Sequence, residues 1–143
     1  MEISTIILPL HLLTLAFIAW NVFHADHMAF SWVAGKPINL DAVLVKKYHH
    51  RVWFGLILMI ITGLILFYPP REYLLGRVQF YVKMAFVFGL IVNSIAIGYL
   101  QKRAIKHSYK ELSFGEKLPL FISGGISTLC WLGATLGGFF LLP

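Results

Sequence analysis

Four apolar runs alternate with short polar stretches along this chain. They cover roughly residues 3–24, 43–68, 77–100 and 118–142, each close to the ~20 residues a helix needs to cross a bilayer. The first run meets no breaker until Gly35-Lys36-Pro37, so its helix is expected to continue to about Val33. The second is closed by Pro69-Pro70 and should begin near Ala42, with Asn39 or Asp41 as cap. Ser113-Phe114-Gly115-Glu116 has the form of a capping box, and Pro119 suits a first turn. The connections are short, so successive helices should be antiparallel neighbours. The expected fold is all-α: an integral membrane, up-down four-helix bundle, with residues 1–143 as one domain.

Composition strengthens this reading. The chain is 59% hydrophobic and only 13% charged, with a mean hydropathy of +0.79. A soluble domain of 143 residues could not hide that much apolar surface, so the lipid bilayer is the expected surrounding partner. The first run lacks a basic leader and a small-residue cleavage site, and is expected to be a retained span.

The net charge of +6 does not point to nucleic acid, because the cations lie between apolar runs. Lys36, Lys46, Lys47 and Arg51 fall in the first connection; Lys102, Arg103, Lys106, Lys110 and Lys117 fall in the third. The second connection has only Arg71 and Arg77. The positive-inside rule then places the first and third connections in the cytoplasm and both termini on the outer side. A bacterial inner membrane is the expected location. Gly133 and Gly137 form a GxxxG, which allows close helix approach within the bundle or in a homo-oligomer.

Candidate chemistry centres on the histidines. His24 and His27 share a face at one end of the first span, with Trp20 and Ser31 along the same stripe. His49 and His50 open the second helix at a similar expected depth, and Asp26 could orient an imidazole. Imidazole serves as a haem axial ligand and as a metal ligand. Three readings stay open: one histidine from each helix holds haem b; His24, His27, His49 and His50 hold copper or zinc; or no cofactor binds and the histidines anchor at the headgroups. His11 and Lys83 lie inside or near the hydrocarbon, at similar depth near the outer face. Ionisable groups there mark functional sites, unless the lysine snorkels. Asn93 lies deeper in the third span and should hydrogen-bond another helix.

Leu10-His11, the run from His49 to Gly55 leading to Thr62-Gly63, and Lys83 ten residues before Asn93 resemble the copper-resistance protein D type of membrane domain. They are also similar to the HemJ-type protoporphyrinogen oxidases. The resemblance implies a histidine-bearing four-helix core that handles haem, a porphyrin or copper, with His11, Lys83 and Asn93 among its cofactor-binding residues. The sequence departs from the HemJ pattern in having no histidine late in the third span, and its Met28, Met59 and Met84 are scattered. The leading expectation is a haem b-binding protein with a redox or electron-transfer role, as a component of a membrane oxidoreductase with a membrane redox partner. The alternatives are a metal-binding or transport protein and a structural accessory subunit of a larger membrane complex.

Overall fold

The structure is a computed structural model that describes residues 3–36 and 39–141, with side chains from Thr5 onward. It contains five α-helices: α1 (Ile3–Val33), α2 (Ala42–Phe67), α3 (Arg71–Leu75), α4 (Val78–Lys106) and α5 (Phe114–Phe139). A 3₁₀ turn, Tyr109–Glu111, joins α4 to α5, and no strand occurs among the described residues. Four of the helices are long and apolar enough to cross a membrane. With 31 residues, α1 is about 46 Å long, well beyond the ~30 Å thickness of a bilayer's hydrocarbon core. The fourth run ends at Leu142, and the first stop signal includes Pro37; both lie outside the described residues.

Local chemistry sets the helix ends. Gly35 takes φ +82, a conformation open to glycine without a Cβ penalty. Its N–H donates to the Trp32 carbonyl, and that of Lys36 donates to Ser31, which completes a Schellman cap on α1. Asp41 caps α2 by accepting from the Val43 and Leu44 N–H groups. At α5 the Glu116 carboxylate accepts from both the N–H and the hydroxyl of Ser113. This start at Phe114 puts Pro119 in the second turn, not the first. The proline removes a donor to the Gly115 carbonyl, which is tolerable because Gly115 is exposed.

The short helix α3 follows Pro69-Pro70 directly and was not expected from the sequence. Its Tyr73 hydroxyl accepts from Arg77, whose guanidinium also lies over the ring at 4.7 Å. The Tyr81 hydroxyl donates to the Leu75 carbonyl.

The chain packs as two compact units, Met1–Pro70 with Ala104–Lys110, and Arg71–Arg103 with Glu111–Pro143. In the first, α1 and α2 meet through His11 with Thr62, Ile18 with Gly55, and His24 with Tyr48. One number rises as the other falls, so the pair is antiparallel. In the second, α4 and α5 meet through Lys83 with Gly137, Phe86 with Gly133, Gly89 with Cys130, and Asn93 with Ser123. That pair is antiparallel by the same logic.

The most buried side chains include Thr14, Asn21, Thr62, Asn93 and Ser123, while Leu13, Leu64, Phe88 and Leu129 are exposed. Polar side chains thus share the interior with apolar ones such as Ile18, Leu56 and Leu90, while many large apolar side chains face outward. Between lipid-facing helices, apolar burial gives little drive, and small or polar residues hold the contacts.

Candidate functional site

The α1 face turned toward α2 carries His11, Thr14, Ile18 and Asn21, spaced at three, seven and ten residues. Close approach is possible because Gly55 offers no side chain; a Cβ there would overlap Ile18. Two turns further along α2, Thr62 is buried and its Oγ1 lies 2.7 Å from His11 Nδ1.

The hydroxyl fixes the imidazole tautomer. Thr62 Oγ1 has one proton, which it directs at the Leu58 carbonyl at 2.8 Å and, more weakly, at Met59 at 3.2 Å. His11 Nδ1–H is therefore the donor to Thr62. In the neutral ring the lone pair then sits on Nε2, the arrangement a metal-ligating histidine adopts when its other nitrogen donates to a partner. Gly63 lies beside the ring, with its Cβ position 3.6 Å from His11 Cε1. A larger side chain there would press on the imidazole.

Toward the opposite end of the same pair, His24 stacks on Tyr48, with centroids 6.0 Å apart and planes within 14°. Trp20 meets its edge at 4.6 Å. His49 is half-buried and touches the His50 ring, while His50 is exposed and its Nδ1–H donates to the Lys46 carbonyl. Across the α1–α2 contact, His24 thus meets Tyr48. His27 is exposed, and its backbone carbonyl accepts from Ser31. Asp26 is also exposed and hydrogen-bonds no imidazole among the described residues. Among the described residues, no three His, Cys, Asp or Glu side chains converge as a metal-binding group.

Lys83 belongs to the other unit. It is half-buried, with its Cβ 3.2 Å from where a Gly137 Cβ would stand and its Nζ 3.4 Å from that of Gly138. The two glycines form a slot along which the lysine stem lies on α5. Its ammonium makes no hydrogen bond or ion pair with the described residues. Asn93 donates to the Ser123 carbonyl at 3.0 Å and accepts from its hydroxyl at 2.8 Å, so this pair is satisfied internally.

Sequence reasoning missed several elements of these arrangements. It did not pair Thr62 with His11, and it did not find the Gly137-Gly138 slot or the buried Asn21. Asn21 donates to the Phe17 carbonyl, and its buried Oδ1 has no partner among the described residues. The signal was present in each case as a polar or small residue in an apolar run; what it lacked was the helix register. Compared with protein-family models, curated proteins and solved structures, the chain matches none of them.

Proposed function

We propose that this is an integral membrane haem b-binding protein with a redox or electron-transfer role, and that His11 would hold its iron. The observation that carries the reading is the Thr62-held tautomer of His11, which presents Nε2 as a lone-pair donor. Haem needs only one or two protein ligands, whereas a bare copper or zinc ion commonly asks for three or four. No such group of three converges among the described residues, which favours haem over a bare ion. Bound haem would supply one-electron iron chemistry. The chain's own part is to hold the imidazole through Thr62, to leave room beside it at Gly63, and to exclude water with the apolar faces of α1 and α2. His24 and His49 form a second candidate level near Tyr48. Lys83 offers a positive charge in its own helix pair for a carboxylate or a proton.

The same reading includes the up-down arrangement in a bacterial inner membrane, with both termini outside and the connections around Lys46 and Lys106 in the cytoplasm. The test is a visible spectrum of the full chain, purified in mild detergent from haem-replete cells. A Soret band that disappears in His11→Ala supports the reading. Wild-type protein without a Soret band overturns it, and a band lost only in His24→Ala or His49→Ala moves the ligand to the other level.

A further inference from the structure

The first turns of α2 carry Lys46, Lys47, His50 and Arg51, all exposed. At 100° per residue they fall within an arc of about 140°. Val45, Tyr48, His49 and Val52, on the opposite arc, are half-buried. The basic groups therefore occupy one outward face of the helix. His50 donates through Nδ1 to the Lys46 carbonyl one turn back, while the charged groups of Lys46, Lys47 and Arg51 form no ion pair or hydrogen bond with a described residue, Asp26 included. Asp41, the acid closest in sequence, is engaged in capping α2. Two basic residues near the end of α4 differ: Arg103 pairs with Glu116 at 3.8 Å, and Lys102 lies over the Tyr99 ring at 5.4 Å.

The same face of α2 continues as Phe54, Ile57, Ile61 and Leu64, all exposed large apolar side chains. Phe54 to Leu64 spans about 15 Å of helix, half of a ~30 Å hydrocarbon core. One continuous strip thus bears bare positive charge above and an apolar ridge one leaflet deep below. We propose that this strip is a binding site for an anionic phospholipid. Its phosphate sits on Lys46, Lys47, His50 and Arg51, and an acyl chain lies along Phe54, Ile57, Ile61 and Leu64. The apolar half of the strip distinguishes this occupant from a soluble phosphate or phosphopeptide, which would leave the ridge unused.

The experiment is native mass spectrometry of the detergent-purified full chain with phosphatidylglycerol and phosphatidylcholine of matched acyl chains. Each basic side chain near an anionic lipid contributes roughly five-fold in affinity. The wild-type chain should hold phosphatidylglycerol over phosphatidylcholine by about ten-fold or more. Lys46→Gln/Lys47→Gln/Arg51→Gln should abolish the preference, while Lys102→Gln/Lys106→Gln should keep it. Phe54→Ala/Leu64→Ala should weaken both lipids and leave their ratio intact. Equal binding of the two lipids by the wild type overturns the proposal without recourse to any variant. So does a preference that survives the triple substitution, or displacement of phosphatidylglycerol by millimolar inorganic phosphate.

Discussion

The α1–α2 pair closes around a hydrogen-bonded imidazole, whereas the α4–α5 pair closes on glycines. In the first, His11 donates to Thr62, whose own proton is taken by backbone carbonyls. In the second, Phe86 and Lys83 lie against Gly133 and Gly137, and Asn93 and Ser123 satisfy each other. Both pairs bury polar groups in apolar helices, but the outcome differs. The Asn93–Ser123 exchange returns each group's hydrogen bonds within the pair and leaves no ligand atom over. The His11–Thr62 bond settles one imidazole nitrogen and thereby defines the other as a donor of its lone pair. A polar pair that exchanges both of its hydrogen bonds acts as a pin; one that fixes an imidazole tautomer also sets which ring nitrogen carries the lone pair.

The sharpest way to break this contrast is to remove the ionisable group from each pair. His11→Ala should abolish the Soret band of the purified chain. Lys83→Met should insert normally and retain the band, because the lysine rests on glycines and makes no hydrogen bond with the described residues. Equal loss of the band in both variants would show that the pairs do not act separately. Retention of the band in His11→Ala would move the iron ligand away from this pair.

The glycine contacts come next in size. A Cβ at Gly55 would overlap Ile18, and one at Gly133 would overlap the Phe86 ring. Overpacking of this kind costs about 1–3 kcal/mol. Gly55→Leu and Gly133→Leu should each lower resistance to unfolding by dodecyl sulfate by that order. Only Gly55→Leu should also disturb the Soret band, since it shifts α1 against α2. A Gly133→Leu protein as resistant as the wild type would remove the close α4–α5 approach from the account.

How much of this was legible beforehand depends on the physical scale of the signal. The four runs were visible because a bilayer imposes a length of about twenty apolar residues on any spanning helix. The cap at Asp41 and the Ser113–Glu116 contact were visible because capping needs particular side chains within four residues. The extension of α1 to Val33 followed from the absence of a breaker. Contacts between helices were less accessible. Gly133 and Gly137 form a motif that suits a partner helix in the same chain or in another copy, and only register shows that they face Phe86 and Lys83. Thr62 gave no sign of its imidazole partner 51 residues away. The short helix α3 carries too few residues to leave a hydrophobic period.

A smaller effect separates the two kinds of polar contact. Hydrogen bonds between membrane helices average about 0.6 kcal/mol, since the separated helices find other partners. Ser123→Ala should therefore cost stability of that order and leave any bound cofactor untouched. Thr62→Val should cost comparably little stability, but it frees His11 Nδ1 and loosens the tautomer. Loss of such a supporting partner commonly weakens metal affinity by about 10–100-fold. Haem titration of the apoprotein measures this directly. A Thr62→Val protein with wild-type haem affinity would show that the hydroxyl only fills space.

The smallest expected effect belongs to the glycines of α5 that touch nothing. Gly124 and Gly125 are exposed, and a Cβ at either meets no atom within 4 Å. Thr128 donates to the Gly124 carbonyl, an interaction that uses backbone and survives a change of side chain. Alanine is the better helix former by up to about 1 kcal/mol, and less where lipid already favours a helical backbone. Gly124→Ala should accordingly leave stability unchanged or slightly raised, in contrast to Gly133→Ala on the same helix, which drives a Cβ into Phe86. The two substitutions add the same methyl group, so the difference between them reports α4–α5 packing alone. Gly124→Leu extends the test, since a lipid-facing position accepts leucine freely. If Gly124→Leu instead changes the size of the protein in detergent, as read by light scattering, then this face meets a second protein surface and the α5 glycines serve two interfaces, not one.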